Sequence, residues 1–189
     1  MLSAESAAGS YPIEAVTMQR RVISRVESDQ LYRAAQTADF IQSTPQKTAT
    51  DAVTLAARQI VDTVRAKCLC IFTERGTTVL RAAKGRPPAP ILALTPTRRT
   101  ARALALVWGV YSRVLPLQDH MVDLEEVLVD VTKVAKDAGY LVDPTDLAVV
   151  TAGLPLGTPG AANVIRVVPA VGPDEWPDVL CYPDTEECV

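Results

Sequence analysis

Short, unbroken apolar runs recur along this chain, and stretches with a helical period separate them. "CLCIFT" (68–73) and "ILALT" (91–95) show no polar alternation, as expected of strands buried on both faces of a sheet. "VYSRVL" (110–115), "DLAVVTA" (146–152) and "NVIRVV" (163–168) supply three further strand candidates. Between them lie a helix up to Lys67, with Thr50 and Asp51 offering N-caps, and a short helix, "VLRAAKG", closed by Gly85. "PTRRTARALALVWG" reads as a helix from Pro96 and Thr97 to Gly109 with Trp108 in the core, and 121–138 as an amphipathic helix on Met121, Leu124, Val127, Leu128, Val131 and Val134. Strands alternating with helices in this way predict an α/β fold, a five-stranded, mostly parallel sheet flanked by helices. No internal repeat is present.

The first 29 residues do not fit that alternation. Ile13, Val16, Ile23 and Val26 give a helix from Tyr11 to Asp29 with Pro12 in its first turn. Before it, "MLSAESAAG" reads as a strand end running into a Ser-Ala-Glu-Ser turn. Residues 30–49 are polar and mixed, a connector. Residues 171–189 hold six acids, no Lys or Arg and three prolines, so a weakly ordered tail is expected, with Trp176 and Tyr182 as its anchors. The whole chain has 22 acidic and 19 basic residues; outside the tail it is mildly basic.

A net charge of −3 argues against a general nucleic-acid binder. No run approaches the roughly 18–20 apolar residues of a membrane span, and no signal-peptide shape opens the chain, so no membrane partner and a cytoplasmic location are expected. The spacing of Cys68, Cys70, Cys181 and Cys188 is poor for zinc, and the single histidine, His120, has no evident Ser or Asp partner. Cys68 and Cys70 read as buried free thiols on one face of a strand. Arg98, Arg99 and Arg102 read as a solvated helix face.

Two loops remain as places for chemistry. Thr73-Glu74-Arg75-Gly76-Thr77-Thr78 leaves a buried strand and opens a helix. Free N–H groups at a helix start, a glycine permitting close approach and three hydroxyls suit a phosphate. Equally, Thr77 or Thr78 serves as an ordinary helix cap. The second loop, "TAGLPLGTPGAAN" (151–163), carries Gly153, Gly157 and Gly160 among prolines. It closes over whatever the first loop holds, or it is a tight crossover between strands. Neighbouring parallel strands would bring both loops to one end of the sheet.

The ordered motifs resemble pyruvate kinase. "MLSAESAAGSYPIEAVTMQRRV" is similar to the family segment MLSGETAxGxYPxEAVxxM, where the last strand of the catalytic barrel enters its last helix. The likeness continues through "TERGTTVLRAAKGRPPAPILALTPTRRTARALALVWGVYSRV" and "LAVVTAGLPLGTPGAANVIRVV", covering residues 1–29 and 50–169. It implies a remnant of a (β/α)₈ barrel at 1–29, a connector at 30–49, the family's C-terminal α/β domain at 50–170 and an acidic tail at 171–189.

By resemblance, the family's catalytic lysine, its phosphate-binding arginine, and the groups holding magnesium and potassium all lie upstream of this sequence. This chain then holds no cofactor of its own; magnesium and potassium are implied only for the full-length enzyme. Ser3 and Glu5 match the mouth of the active site, although Ala4 replaces the usual Gly and Ser6 the usual Thr. Thr73, Gly76, Thr77 and Thr78 match the family's effector loop, with Arg75 where Ser or Thr is common, as an added charge or an obstruction. Gly153, Gly157, Thr158 and Gly160 match the closing effector loop. The Trp and Arg that grip the second phosphate of fructose 1,6-bisphosphate have no counterparts around residues 116–124, leaving AMP or a sugar monophosphate as the implied effector. A homo-oligomer is implied, and a catalytic barrel as the missing partner. The isolated chain is expected to be inactive in phosphoryl transfer from phosphoenolpyruvate to ADP. The alternative is a free-standing effector-binding module descended from the same domain.

Overall fold

The computed structural model describes residues 4–42, 48–115, 124–154, 162–172 and 175–176, in a chain that divides into the units Met1–Thr44 and Pro45–Val189. The first unit is helical: α1 (Ala4–Ala8), α2 (Pro12–Glu27) and α3 (Gln30–Gln42). Where the sequence suggested a Ser-Ala-Glu-Ser turn, α1 forms one helical turn with Glu5 at its acid-favouring N-terminal end. Proline at the start of α2 sits where its missing N–H costs nothing. No residue of α2 is buried, and Ile13, Val16, Val22 and Ile23 are exposed.

The stretch read as a connector carries α3. Asp29 Oδ1 accepts the amides of Leu31 and Tyr32 at 2.9 and 3.2 Å, capping the helix, and good helix formers follow. Alanines (Ala34, Ala35 and Ala38) fill the middle of its apolar positions, so no stripe of large side chains marked it.

The second unit runs α4 (Ala49–Thr63), β1 (Cys68–Phe72), α5 (Thr77–Lys84), β2 (Ile91–Thr95), α6 (Arg98–Leu104), β3 (Val110–Val114), α7 (Leu124–Asp137), β4 (Leu147–Gly153) and β5 (Ala162–Pro169). The strands lie in the order β3-β2-β1-β4-β5, parallel except for β5, which is antiparallel to β4. The predicted α/β fold is therefore the observed one. Alternate residues of the central strands face opposite layers. Cys68, Cys70, Leu92, Leu94 and Val150 pack with Val127, Leu128 and Val131 of α7. Leu69, Ile71, Ile91 and Val149 pack with Ala57 and Val61 of α4, Val79 of α5 and Leu104 of α6.

Several boundaries differ from expectation. The cap of α4 is Thr48, whose hydroxyl accepts the Asp51 amide at 3.2 Å, whereas Thr50 is buried inside the first turn. Arg81 of α5 bonds both Thr48 Oγ1 and Asp51 Oδ1, so the cap also joins two helices. Helix α6 stops at Leu104 rather than Gly109. The chain turns instead, and Gly109 takes φ 65°, a left-handed value that suits glycine, before β3. Trp108 is thereby 39% exposed rather than core, with the Arg86 guanidinium 4.3 Å from its ring centroid.

Cys68 and Cys70 are buried free thiols with sulfurs 3.7 Å apart. The Cys68 hydrogen bond, burial and the neighbouring sulfur all push the Cys70 thiol well up. Arg98, Arg99 and Arg102 are exposed, as expected. Trp176 is a buried anchor whose Nε1 donates to the Val171 carbonyl at 3.1 Å, with Arg166 over its ring. Met121, His120, Cys181, Tyr182 and Cys188 lie outside the described residues.

Thr151 of β4 is fully buried, and its hydroxyl is the one buried side-chain polar atom without a partner among the described residues. An orphan hydroxyl of this kind carries a desolvation cost that an isosteric methyl avoids. Thr151→Val should therefore stabilise the fold by about 1 kcal/mol in urea unfolding. A loss of stability would show that the hydroxyl is satisfied.

Candidate functional site

Strand β1 delivers the first loop to the C-terminal edge of the parallel sheet, where ligands of open α/β folds bind. The Thr73 amide donates to the Leu94 carbonyl at 2.8 Å, holding the strand exit against β2. The Thr73 hydroxyl then accepts the Gly76 amide at 2.9 Å and closes a tight turn. That bond uses a lone pair of the oxygen and leaves its proton free to donate.

Gly76 caps α5 at φ 84°, and no side chain bonds the helix start. The reading of Thr77 or Thr78 as a cap is thus replaced. A cap without a side chain leaves the first amides of α5 without an intrahelical or side-chain acceptor, which is the arrangement that favours an anion. Thr77 is exposed, whereas Thr78 is 5% exposed and Thr73 likewise 5%. Arg75 is exposed, beside the buried Gly76.

The register pairs Ile71 of β1 with Thr151 of β4, so Thr73 and Gly153 emerge at the same end of the sheet. The expected convergence of the two loops therefore holds at Gly153. Gly157, Thr158 and Gly160 lie outside the described residues, as does Ser3. Asn163 of β5 clamps the base of the second loop. Its Oδ1 accepts the Leu154 amide at 2.9 Å, and its Nδ2 donates to the Leu154 carbonyl at 2.8 Å.

Glu5 belongs to the other unit. Its carboxylate is exposed and accepts the Tyr11 amide at 2.8 Å, joining α1 to the start of α2. Among the described residues no group of three His, Cys, Asp or Glu side chains is placed to hold a metal, and no helix is long and apolar enough to cross a membrane.

Sequence reasoning missed Asn163 and also Thr100 of α6. Thr100 Oγ1 donates to the Glu74 carbonyl at 2.8 Å, tying α6 to the first loop. The local signal was visible: Thr97 and Thr100 stand three apart at a helix start, and Thr97 does cap α6. The bond to Glu74 spans 26 positions and has no local signature.

A nearly all-parallel sheet whose helices lie on both faces, with a glycine-capped helix opening at its carboxyl edge, defines an open-sheet α/β domain. Residues 51–168 match the family model described as "Pyruvate kinase, alpha/beta domain", and the chain belongs to the pyruvate kinase family. It is 40% identical over 167 residues to a pyruvate kinase of Methylorubrum extorquens, covering 88% of this chain and 34% of the relative. It is 41% identical over 173 residues to one of Agrobacterium vitis, covering 90% and 35%. A crystal structure of a pyruvate kinase from Cryptosporidium parvum superimposes with a TM-score of 0.74 at 26% identity, over 90% of this chain and 32% of that one. The chain spans about a third of the length of these relatives.

Proposed function

We propose that this chain is the C-terminal portion of a pyruvate kinase, supplying a phosphate-effector site and subunit contacts to an enzyme that moves phosphoryl from phosphoenolpyruvate to ADP in glycolysis. The observation that carries the effector site is the opening of α5. A left-handed glycine replaces a side-chain cap, leaving helix-terminal amides for an acidic ligand at the carboxyl edge of the sheet. Thr73, Arg75, Gly76, Thr77 and Thr78 make up the first loop, and Gly153 emerges at the same end of the sheet; in this reading Gly157, Thr158 and Gly160 of the second loop also meet the ligand. The exposed Thr77 is the hydroxyl best placed to meet a ligand, and Thr73 contributes through its free proton.

In this reading the ligand is AMP or a sugar monophosphate. Phosphoryl transfer relies on positioning and on metal electrostatics, and by resemblance the residues for both belong to the barrel. The 189-residue chain alone is therefore inactive, and magnesium and potassium act elsewhere in the whole enzyme. The exposed apolar residues of α2 favour self-association or cover by another segment.

Calorimetric titration of the chain with AMP, ribose 5-phosphate and fructose 1,6-bisphosphate tests the site. A monophosphate should bind, and Thr77→Ala should weaken it about tenfold, the loss of a hydrogen bond to a charged acceptor. That change should leave stability almost unaltered, because Thr77 is not the cap of α5. No heat from any of the three at millimolar concentration would make the loop a helix entry only.

A further inference from the structure

A threonine side chain of α6 holds the first loop from outside. Thr97 donates its hydroxyl proton to Thr100 Oγ1 at 2.9 Å, and Thr100 donates its own to the Glu74 carbonyl at 2.8 Å. The Thr100 amide in turn donates to Thr97 Oγ1 at 3.3 Å. Each hydroxyl proton is used once, so the relay runs in one direction, from the start of α6 to the loop. The methyl of Thr100 also sits against Gly76: a Cβ built on that glycine would lie 3.5 Å from Thr100 Cγ2. Both branches of one threonine therefore bear on the loop.

The peptide unit joining Glu74 and Arg75 is planar and trans, so its C=O and N–H point in opposite directions. Holding the Glu74 oxygen toward Thr100 turns the Arg75 amide away from α6. A flip of this peptide would exchange a donor for an acceptor beside the opening of α5, where a carbonyl oxygen would repel an anion. Glu74 and Arg75 are both exposed, so burial alone does not fix the peptide. Gly76, next in the chain, is left-handed and adds freedom at that point.

We infer that Thr100 is a positioning residue: its hydroxyl locks the Glu74–Arg75 peptide with the Arg75 N–H presented as a donor for a phosphate on the first loop. The ligand half of this inference rests on the phosphate reading above; the locking half does not.

The test uses the full chain with Thr100→Val, which keeps the shape and the amide that bonds Thr97, and Thr100→Ser, which keeps the hydroxyl. Amide hydrogen exchange by NMR reads the lock directly. In Thr100→Val the Gly76 amide, which bonds Thr73 Oγ1 inside the loop, should exchange about tenfold faster once the loop loses its hydrogen bond to α6. In Thr100→Ser it should stay near the wild-type rate. Unchanged exchange in Thr100→Val would overturn the lock. AMP and ribose 5-phosphate titrations then read its consequence, with affinity falling about tenfold in Thr100→Val and recovering in Thr100→Ser. Wild-type affinity in Thr100→Val would overturn the positioning role while leaving the phosphate site standing. Accelerated exchange in a protein that binds neither compound, even as wild type, would uphold the lock and defeat the phosphate reading.

Discussion

Replacing Gly76 with valine is expected to destabilise the chain by about 3 kcal/mol and to abolish phosphate binding. Two separate costs add. The residue stands at φ 84°, where an L side chain costs roughly 1–2 kcal/mol and a β-branched one more. Its new Cβ would also lie 3.2 Å from Leu104 Cδ2, tighter than ordinary contact, and Leu104 is only 2% exposed and has little room to retreat. Gly76→Ala isolates the backbone cost and should lose about 1–2 kcal/mol. Urea unfolding of the two variants separates the costs, and calorimetry with AMP reads the binding. A valine variant as stable as wild type would mean that the left-handed cap is not required.

The fold was legible because the strands of a parallel sheet are buried on both faces and must be apolar throughout. "CLCIF" and "ILALT" are fully buried strands as read. Elements whose residues face water were harder to read. The apolar positions of α3 are largely alanines rather than large side chains, and its start is set by a local bond to Asp29. α6 stops at Leu104, and Trp108 beyond it lies against Arg86, 22 positions earlier, a contact that no local rule anticipates.

The candidate site divides along the same line. Thr73, Gly76 and Thr77 fall within five consecutive positions, and the Thr73–Gly76 turn follows from a hydroxyl and a glycine at fixed offsets, so the sequence alone marked this loop. What shapes the loop from outside was not legible. Thr100 reaches Glu74 only because β1 and β2 are neighbours and α6 follows β2. Asn163 clamps Leu154 only because β5 turns back antiparallel to β4. Both are consequences of strand order, which the residues themselves do not display.

Asp146 governs the entry to β4, and its removal is expected to be as costly as that of Gly76. Its Oδ2 accepts the amides of Val142 and Asp143 at 2.8 and 2.9 Å, and Lys67 Nζ lies 3.4 Å from Oδ1. The backbone oxygen of the same residue accepts the Ala170 amide, tying the turn to the end of β5. Burial by itself raises the acid, but the two amides and the lysine outweigh it and hold the carboxyl below its usual value. A depressed acid contributes stability that is present above its unfolded value and is lost as the pH falls through the folded one. Asp146→Ala strips both amides of a charged acceptor and should cost about 3 kcal/mol at neutral pH. Asp146→Asn retains one oxygen acceptor without the charge and should cost about half as much. The gap between wild type and Asp146→Asn should be widest at neutral pH and shrink as the solution is taken to the acid side of the ordinary carboxylate range. Urea unfolding of both proteins from neutral to acidic pH reads this gap, and a gap that stays constant, or widens in acid, would mean that the charge of Asp146 does not hold the turn.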